Sequence, residues 1–234
     1  MMMIKSARRL CLGIAFLICA PRIRAGDTAS FVDLGFSPDG GIYMFAQYGV
    51  LSESLKPWAD LYAVNVQSNS FVSNGTISYV HNRPLSFGTD GSGALYRVIA
   101  QGASLASRCG VTFLNPGKPQ YLAFEGAPLE SGGIDFRDFE TGSSYHAALR
   151  ASYEGTGVQL KSSFSITLEQ TAKNGTRRTY TVGSPGLKRP LVRDYRIRRV
   201  VTSESGASMV FIIEMTKLNG SGVDIRYMVE TLRL

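Results

Sequence analysis

The chain has 234 residues, of which 44% are hydrophobic, and it carries 25 lysines and arginines against 18 acidic residues. That length is enough to bury one substantial hydrophobic core, with two small domains as the alternative. The net charge of +7 comes mostly from residues 1–25, which hold five basic and no acidic residues. The rest of the chain has a net charge of +2, so we expect no nucleic acid among its partners.

Residues 1–25 have the pattern of a secretory signal peptide. The segment begins with three basic side chains, those of Lys5, Arg8 and Arg9. An apolar run of 11 residues follows at 10–20, which fits the hydrophobic region of a leader and is too short to span a bilayer. No other apolar run is long enough to cross a membrane, so we expect no transmembrane span after the leader is removed.

The expected cleavage position follows Ala25, and Ala29 offers an alternative small residue. Cleavage after Ala25 leaves residues 26–234, which we predict to fold as a single β-rich domain. A membrane anchor that is never cleaved is the other interpretation of the leader. Export of a protein without disulfides suits a bacterial periplasm, which is the expected compartment.

Cysteine usage indicates that stability comes from the hydrophobic core. Cys11 and Cys19 lie in the leader, and Cys109 is the only cysteine after it. A single cysteine cannot form an intramolecular disulfide, and an unpaired one is typically a small buried apolar residue. A lipid anchor on Cys19 is disfavoured, because Ile18 is larger than the residue that normally precedes a lipidated cysteine.

The first strands after the leader flank an Asp-Gly turn at residues 39–40. Alternating apolar residues on both sides of such a turn are the strongest local signal for a β-hairpin. The first strand is predicted to carry on one face Val32, Leu34 and Phe36. The second strand is predicted to be buried on both sides, because apolar residues occupy both of its faces. They are Ile42, Met44 and Ala46 on one face and Tyr43 and Phe45 on the other.

One principal helix is predicted over residues 94–107, where apolar residues recur at helical spacing. Gly102 lies inside this run and costs about 1 kcal/mol relative to alanine. Gly110 is placed to end the helix. On both sides of it, period-two alternation predicts strands. They are expected at 59–66, 71–80, 121–124, 134–139, 145–154, 163–168, 177–182, 193–202, 208–216 and 223–232.

Ser37-Pro38-Asp39-Gly40 resembles the turn of a blade in periplasmic β-propellers of the TolB type, and residues 203–206 form a fainter copy. The resemblance implies propeller-blade-like hairpins. A closed propeller repeats its blades about every 40–45 residues, whereas Gly40 and Gly206 are 166 residues apart. We therefore predict a mainly β fold of antiparallel sheets that is not a complete propeller.

Across the mature chain, the sequence is similar to an uncharacterised family of predicted secreted bacterial proteins. The resemblance is carried by six segments: FVDLGFSPDG (31–40), FAQYGV (45–50), GSPGLKRPLV (183–192), YRI (195–197), VFIIE (210–214) and RYMVET (226–231). It implies export and a β-rich fold, and it brings no assigned activity.

Eight basic residues crowd between positions 177 and 199, with Asp194 as the only acid among them. Guanidinium groups in such a strip could hold an anionic lipid headgroup, a cell-wall polymer or an acidic protein. The candidate anion-binding or partner-binding residues are Arg189, Arg193, Arg196 and Arg198. The alternative is a charged edge strand that resists aggregation and pairs with acidic residues elsewhere.

Asp135, Asp138 and Glu140 form a small acidic cluster at the end of the strand predicted over residues 134–139. Two of these carboxylates could act as acid and base or hold Ca²⁺, although we favour a solvated strand edge. The chain has only two histidines, His81 and His146, which is too few for the usual structural zinc site without paired cysteines. No nucleophile elbow and no phosphate-binding loop occur in the sequence, so we expect no cofactor.

The sequence predicts an exported, non-enzymatic binding or accessory protein whose basic strip contacts an anionic envelope component or a protein partner. The alternative is a carboxylate-dependent hydrolase of the cell envelope that uses the acidic cluster. A third interpretation is an accessory of a larger assembly, which recruits a partner along an exposed strand edge.

Overall fold

The computed structural model describes residues 26–86, 88–124, 133–220 and 222–234. Sheet 1 follows the chain order β1-β2-β3-β4. Its strands are Ser30–Phe36 (β1), Ile42–Val50 (β2), Pro57–Asn65 (β3) and Ser70–Val80 (β4). Two helices follow it along the chain, Ser92–Gln101 (α1) and Ala103–Cys109 (α2).

Sheets 2 and 3 are formed by the second half of the chain, between residues 118 and 233. The strands of sheet 2 are Ile134–Arg137 (β6), Ser144–Glu154 (β7), Lys161–Thr171 (β8), Arg177–Val182 (β9) and Arg189–Pro190 (β10). Their order is β10-β8-β7-β6, and β9 also pairs with β8. Sheet 3 has the order β13-β12-β11-β5. Its strands are Lys118–Leu122 (β5), Val192–Thr202 (β11), Ser208–Asn219 (β12) and Gly222–Arg233 (β13).

Every strand pairing between these elements is antiparallel. The prediction of a mainly antiparallel β fold is therefore confirmed, and the three sheets do not form a complete propeller. Alternating hydrophobicity located the strands because most of them bury one face only.

Sheet 3 lies between the other two sheets. Its central strand β12 is apolar on both faces, so Ile212 packs toward sheet 1 while Phe211 and Ile213 pack toward sheet 2. In sheet 1 the same division occurs in β2, as predicted. Phe45 faces sheet 3, whereas Met44 packs with the apolar side of the helices. The layers therefore run helices, sheet 1, sheet 3 and sheet 2.

A β-bulge in β1 shows that the prediction of one shared face for Val32, Leu34 and Phe36 is wrong. Leu34 is the extra residue, because its neighbours Asp33 and Gly35 pair with consecutive residues of β2. A bulge of this kind reverses the alternation of side chains beyond it. Val32 and Leu34 pack on the side of the helices, whereas Phe36, beyond the bulge, packs between sheets 1 and 3.

The helix predicted over residues 94–107 is divided at Gly102 into α1 and α2. Gly102 lies against sheet 1, where a Cβ would come within 3.0 Å of Leu61 Cδ1. Glycine permits this close approach but disfavours helix, which accounts for the break. The second helix ends at Gly110 as predicted, since that residue adopts a left-handed φ of 68°.

The turns at residues 37–40 and 203–206 share one hydrogen-bond pattern. In the first turn, Ser37 uses its N–H and its hydroxyl to bond to the backbone of Ile42. Ser203 makes the same two bonds to the residue five positions later. Where the first turn uses the Asp39 carboxylate to accept a backbone N–H, the second uses the Ser205 hydroxyl.

The two turns also contact each other, which joins sheet 1 to sheet 3 at this end. The Ser208 hydroxyl donates to the carbonyl oxygen of Gly40 at 2.7 Å. Arg233 donates to the Ser208 hydroxyl at 2.6 Å and to the carbonyl oxygen of Asp39 at 3.1 Å. A Cβ on Gly40 would lie only 2.9 Å from the Cβ of Ser203.

Gly40→Ala is expected to destabilise the protein more than Gly206→Ala, although φ is 67° at Gly40 and 71° at Gly206. Both variants incur the left-handed backbone penalty of about 1–2 kcal/mol. Only alanine at position 40 overlaps the opposite turn, because no described atom lies within 4 Å of a Cβ on Gly206. Urea unfolding should show that the Gly40→Ala variant loses about 1–3 kcal/mol more of its free energy of unfolding than the Gly206→Ala variant. Equal losses would contradict the contact between the turns.

Candidate functional site: a cleft beside the edge of sheet 3

A cleft of about 400 Å³ opens between sheet 1 and the edge strand β13. This volume lies in the range of pockets that hold small ligands. One wall comes from β2, β3 and the start of β4, and the other comes from β12, β13 and the segment that enters β10. The apolar residues of the second wall are Leu187, Met215, Met228 and Val229.

Aromatic rings from neighbouring strands stack across the sheet 1 wall. Phe31, Phe45, Tyr62 and Phe71 come from β1, β2, β3 and β4 in turn. Successive ring centroids are 5.5, 4.8 and 5.5 Å apart, with interplanar angles between 20° and 23°. Such cross-strand aromatic pairs stabilise a sheet and fix the orientation of their rings. Phe71 ends the row and is 56% exposed, so its ring presents apolar surface at the cleft.

Polar groups of the same wall lie next to these rings. The Gln47 side chain donates to the Tyr62 hydroxyl at 3.3 Å and accepts the Tyr227 N–H at 2.9 Å. Burial, followed by the nearby Asp60 carboxylate, raises the pKa of Tyr62 well above its usual range. The Tyr62 hydroxyl is protonated at physiological pH and can donate to Asp60 or to a ligand.

Arg189 reaches the cleft from β10. Its guanidinium bonds to Glu230 at 2.9 Å and lies 4.8 Å from the centre of the Phe164 ring. The Glu230 side chain is only 4% exposed, and Asn69 also donates to it. Burial raises the pKa of Glu230, while the hydrogen bond from Asn69 and the charge of Arg189 oppose that rise. Arg189 thus compensates a buried acid while it lines the cleft.

The other two cations of the cleft differ in their surroundings. Arg226 bonds to Asp27 at 2.8 Å and stacks over Trp58, with 4.4 Å from its guanidinium carbon to the ring centre. Trp58 is buried in β3. Lys217 is half-buried, and its ammonium group has no partner among the described residues. Lys217 is therefore the cation of this cleft that is available for a ligand.

The structure divides the four arginines that the sequence singled out. Arg189 lies in sheet 2, whereas Arg193, Arg196 and Arg198 lie on β11 of sheet 3. Arg198 forms an ion pair with Glu214 at 3.3 Å. Arg193 is exposed and Arg196 is half-buried, and neither has an ion pair within the described part of the chain. The use of this strip as a binding surface stays a prediction.

The three carboxylates of the acidic cluster each have a different partner. Asp135 bonds to His146 at 2.9 Å, and Glu140 bonds to Lys118 at 2.6 Å. Asp138 follows the end of β6 and accepts backbone N–H groups at 2.8 and 3.2 Å from the turn behind it. Burial acts to raise the pKa of Asp138, but hydrogen bonds from Thr141 and the turn backbone outweigh it and lower that pKa. Asp138 therefore stabilises a turn, and the predicted strand over residues 134–139 ends earlier, at Arg137.

Sequence reasoning missed most of the cleft. The sequence places Asp60, Tyr62 and Phe71 only in strands, and Lys217 lies beyond the predicted end of β12. These residues meet because β3, β4 and β12 are brought together by sheet packing, and no spacing in the sequence encodes that meeting. The sequence offered one partial signal, the aromatic residues Phe45, Tyr62 and Phe71 on three consecutive predicted strands.

No cluster of three potential metal-binding side chains occurs among the described residues. Within the same residues, the helices are too short or too polar to cross a bilayer.

The sequence matches a family model over residues 44–233, and that family is described as a predicted secreted protein (DUF2259). No curated protein and no solved structure matches the chain. The likeness to TolB-type blades therefore stays a prediction, and its best motif, at residues 37–40, precedes the matched region. The family description supports the predicted export at the level of a secreted protein. The match covers most of the chain, and the protein is a member of this family of predicted secreted proteins.

Proposed function

We propose that this protein is a non-enzymatic binding protein of the periplasm that holds an acidic saccharide in the cleft beside β13. The observation that carries the proposal is that Lys217, whose ammonium group has no partner among the described residues, lines the same cleft as the stacked rings of Phe45, Tyr62 and Phe71. Export after removal of residues 1–25 and folding as a single domain belong to the same proposal.

The chemistry of the cleft matches three features of an acidic sugar. The apolar face of a sugar ring can pack on the exposed ring of Phe71, where burial of apolar surface favours binding. A sugar carboxylate can accept a charge-assisted hydrogen bond from Lys217. Sugar hydroxyls can donate to Asp60 and exchange hydrogen bonds with Gln47 and Tyr62.

The hydrolase alternative has no supporting observation in this structure. Each carboxylate of the acidic cluster is held by its own partner, and Asp138 is used within a turn. A hydrolytic site for sugars normally needs two carboxyl groups that flank the scissile bond. Among the described residues that line the cleft, Asp60 supplies the single carboxylate, which supports binding without chemistry.

Calorimetric titration with a hyaluronan tetrasaccharide, which alternates amino sugar and uronic acid, tests the proposal. Chitotetraose has comparable rings without carboxylates and serves as the uncharged probe. We expect the acidic probe to bind more tightly, and Lys217→Met to weaken its binding about tenfold, as loss of a hydrogen bond to a charged group does. Phe71→Ala should weaken the binding of both probes.

Lys173→Met removes an exposed lysine in the turn between β8 and β9, and this residue does not line the cleft. This matched control should leave binding unchanged. Equal affinity of the Lys217→Met and Lys173→Met variants for the acidic probe, or no binding of that probe to the unaltered protein, would contradict the proposal. Fluorescence of Trp58, the single tryptophan, gives an independent reading because Arg226 both stacks on it and lines the cleft.

A further inference from the structure

The first described residues form a strap along the outer edge of β13; we call residues 26–29 the N-terminal strap. The carbonyl oxygen of Asp27 accepts the N–H of Ile225 at 2.8 Å, and Ala29 donates its N–H to the carbonyl oxygen of Ile225 at 3.1 Å. These bonds form a parallel bridge between Thr28 and Ile225. The strap therefore continues sheet 3 beyond its edge strand.

Asp27 is the buried charged group of the strap, with a side chain that is 2% exposed. One carboxylate oxygen, Oδ2, accepts from the Trp58 indole at 2.7 Å and from Arg226 at 2.8 Å. The other oxygen, Oδ1, is buried and has no hydrogen-bond partner in the described part of the chain. A buried carboxylate oxygen without a donor is costly and calls for a partner.

The Asp224 carboxylate lies beside the same group. It accepts the backbone N–H of Asp27 at 2.9 Å, and it lies 3.4 Å from the Arg226 guanidinium. Burial raises the pKa of Asp27, the charge of Arg226 opposes that rise, and the negative charge of Asp224 adds to it. Two carboxylates thus share one guanidinium. Asn219 also donates to Asp224 at 3.1 Å, and Lys217 lies opposite Asp224 in β12, but no described group donates to Oδ1 of Asp27.

Gly26 sits directly on β13 at this site. A Cβ on residue 26 would overlap the carbonyl oxygen of Val223, at 1.4 Å, so the position requires glycine. Its nitrogen is one residue from Asp27, and its neighbour on β13 immediately precedes Asp224. The next N–H along the chain, that of Asp27, donates to Asp224, so a positive charge on the Gly26 nitrogen would attract the neighbouring carboxylates.

We propose that the leader is cleaved after Ala25 and that the new α-ammonium group of Gly26 binds the carboxylates of Asp27 and Asp224 as part of the folded structure. A signal peptidase hydrolyses the Ala25–Gly26 peptide bond with one water molecule. Ala25 leaves with a carboxylate, and the freed amine of Gly26 takes up a proton at neutral pH. Cleavage after Ala29, the alternative position, would remove the whole strap.

Intact-mass measurement of the secreted protein tests the position of cleavage. The full chain is exported from its own leader, and the mass is measured without added tags. We expect a chain that begins at Gly26. A chain that begins at Ser30 would overturn the proposal, as would one that retains the leader.

Thermal unfolding tests the role of the new amino group. A protein that begins at Gly26 is compared with one that keeps Ala25, in which the charge is displaced by one residue. At pH 7 the extended protein should unfold at least about 3 °C lower, since a shift of about 2–4 °C accompanies each kcal/mol in a chain of this size.

The pH dependence has a defined sign. Carboxylate neighbours raise the pKa of the folded-state α-ammonium above its unfolded value of about 7.7–8.0. The stabilisation is then complete below about pH 7 and is lost as the pH rises through the raised pKa. Asp224→Asn in both proteins should reduce the difference between them. Equal unfolding temperatures at pH 7, or a difference that persists unchanged at pH 11, would overturn the proposal.

Discussion

Replacing Phe211 by alanine is expected to lower the free energy of unfolding by about 3–5 kcal/mol. Phe211 is fully buried in the central strand of the middle sheet and packs toward sheet 2. Its partners in the adjacent strands are Val200 and Glu230. Because it is flanked by two strands and covered by another sheet, the surroundings can relax little into the cavity.

Phe139→Ala is the matched control for this change. Phe139 is 88% exposed, so its removal should alter stability by less than about 0.5 kcal/mol. Guanidinium unfolding of both variants measures the two losses under the same conditions. A small loss at Phe211, comparable with that at Phe139, would contradict the layer order in which sheet 3 is buried on both faces.

Arg189→Met is expected to lower the free energy of unfolding by about 3–5 kcal/mol at pH 7, because it leaves Glu230 buried without its cation. Methionine keeps much of the apolar volume over the Phe164 ring, so the loss reports charge more than packing. Adding Glu230→Gln should restore most of the stability, since the buried negative charge is then absent. A double-mutant cycle with urea unfolding gives the coupling between the two side chains.

The pH dependence of the Arg189→Met variant follows from the raised pKa of Glu230. When the pKa of an acid is higher in the folded than in the unfolded state, the acid stabilises the fold at a pH below its unfolded pKa. This contribution to the free energy of unfolding is lost as the pH rises through the folded-state pKa. Removal of Arg189 raises that pKa further. The difference in free energy of unfolding between the variant and the parent protein should therefore become smaller as the pH falls toward about 4. A gap that is independent of pH would show that Glu230 is not the cause.

The strands could be predicted from the sequence because most of them have one buried face. Residues 177–182 were predicted and observed as a strand with the same ends. The face assignment failed at Phe36 because Leu34 is an extra residue in β1, next to a contact between Phe36 and the distant Asn115 backbone. The helix break at Gly102 was signalled by propensity, but the reason for glycine there is the approach of Leu61 from another element.

The candidate site was much harder to predict. The local density of basic residues identified the strip between positions 177 and 199. It gives no information about which acidic residues pair with those arginines. Glu230 is 41 residues from Arg189 and still forms its ion pair. The cleft depends on contacts of the same long range, between sheet 1 and β13. Hydrophobic periodicity and residue spacing describe one helix or strand at a time, so they do not reveal a site that is shared by two sheets.

Hydrogen exchange with and without the hyaluronan tetrasaccharide tests the central claim most directly. Binding in the cleft predicts slower amide exchange at the start of β4, around Phe71, and in the segment from Leu187 to Arg189. The edge of β11 from Arg193 to Arg198 should exchange at the same rate in both samples. Protection confined to that edge, or no protection in either region at saturating probe, would contradict the assignment of the cleft as the binding site.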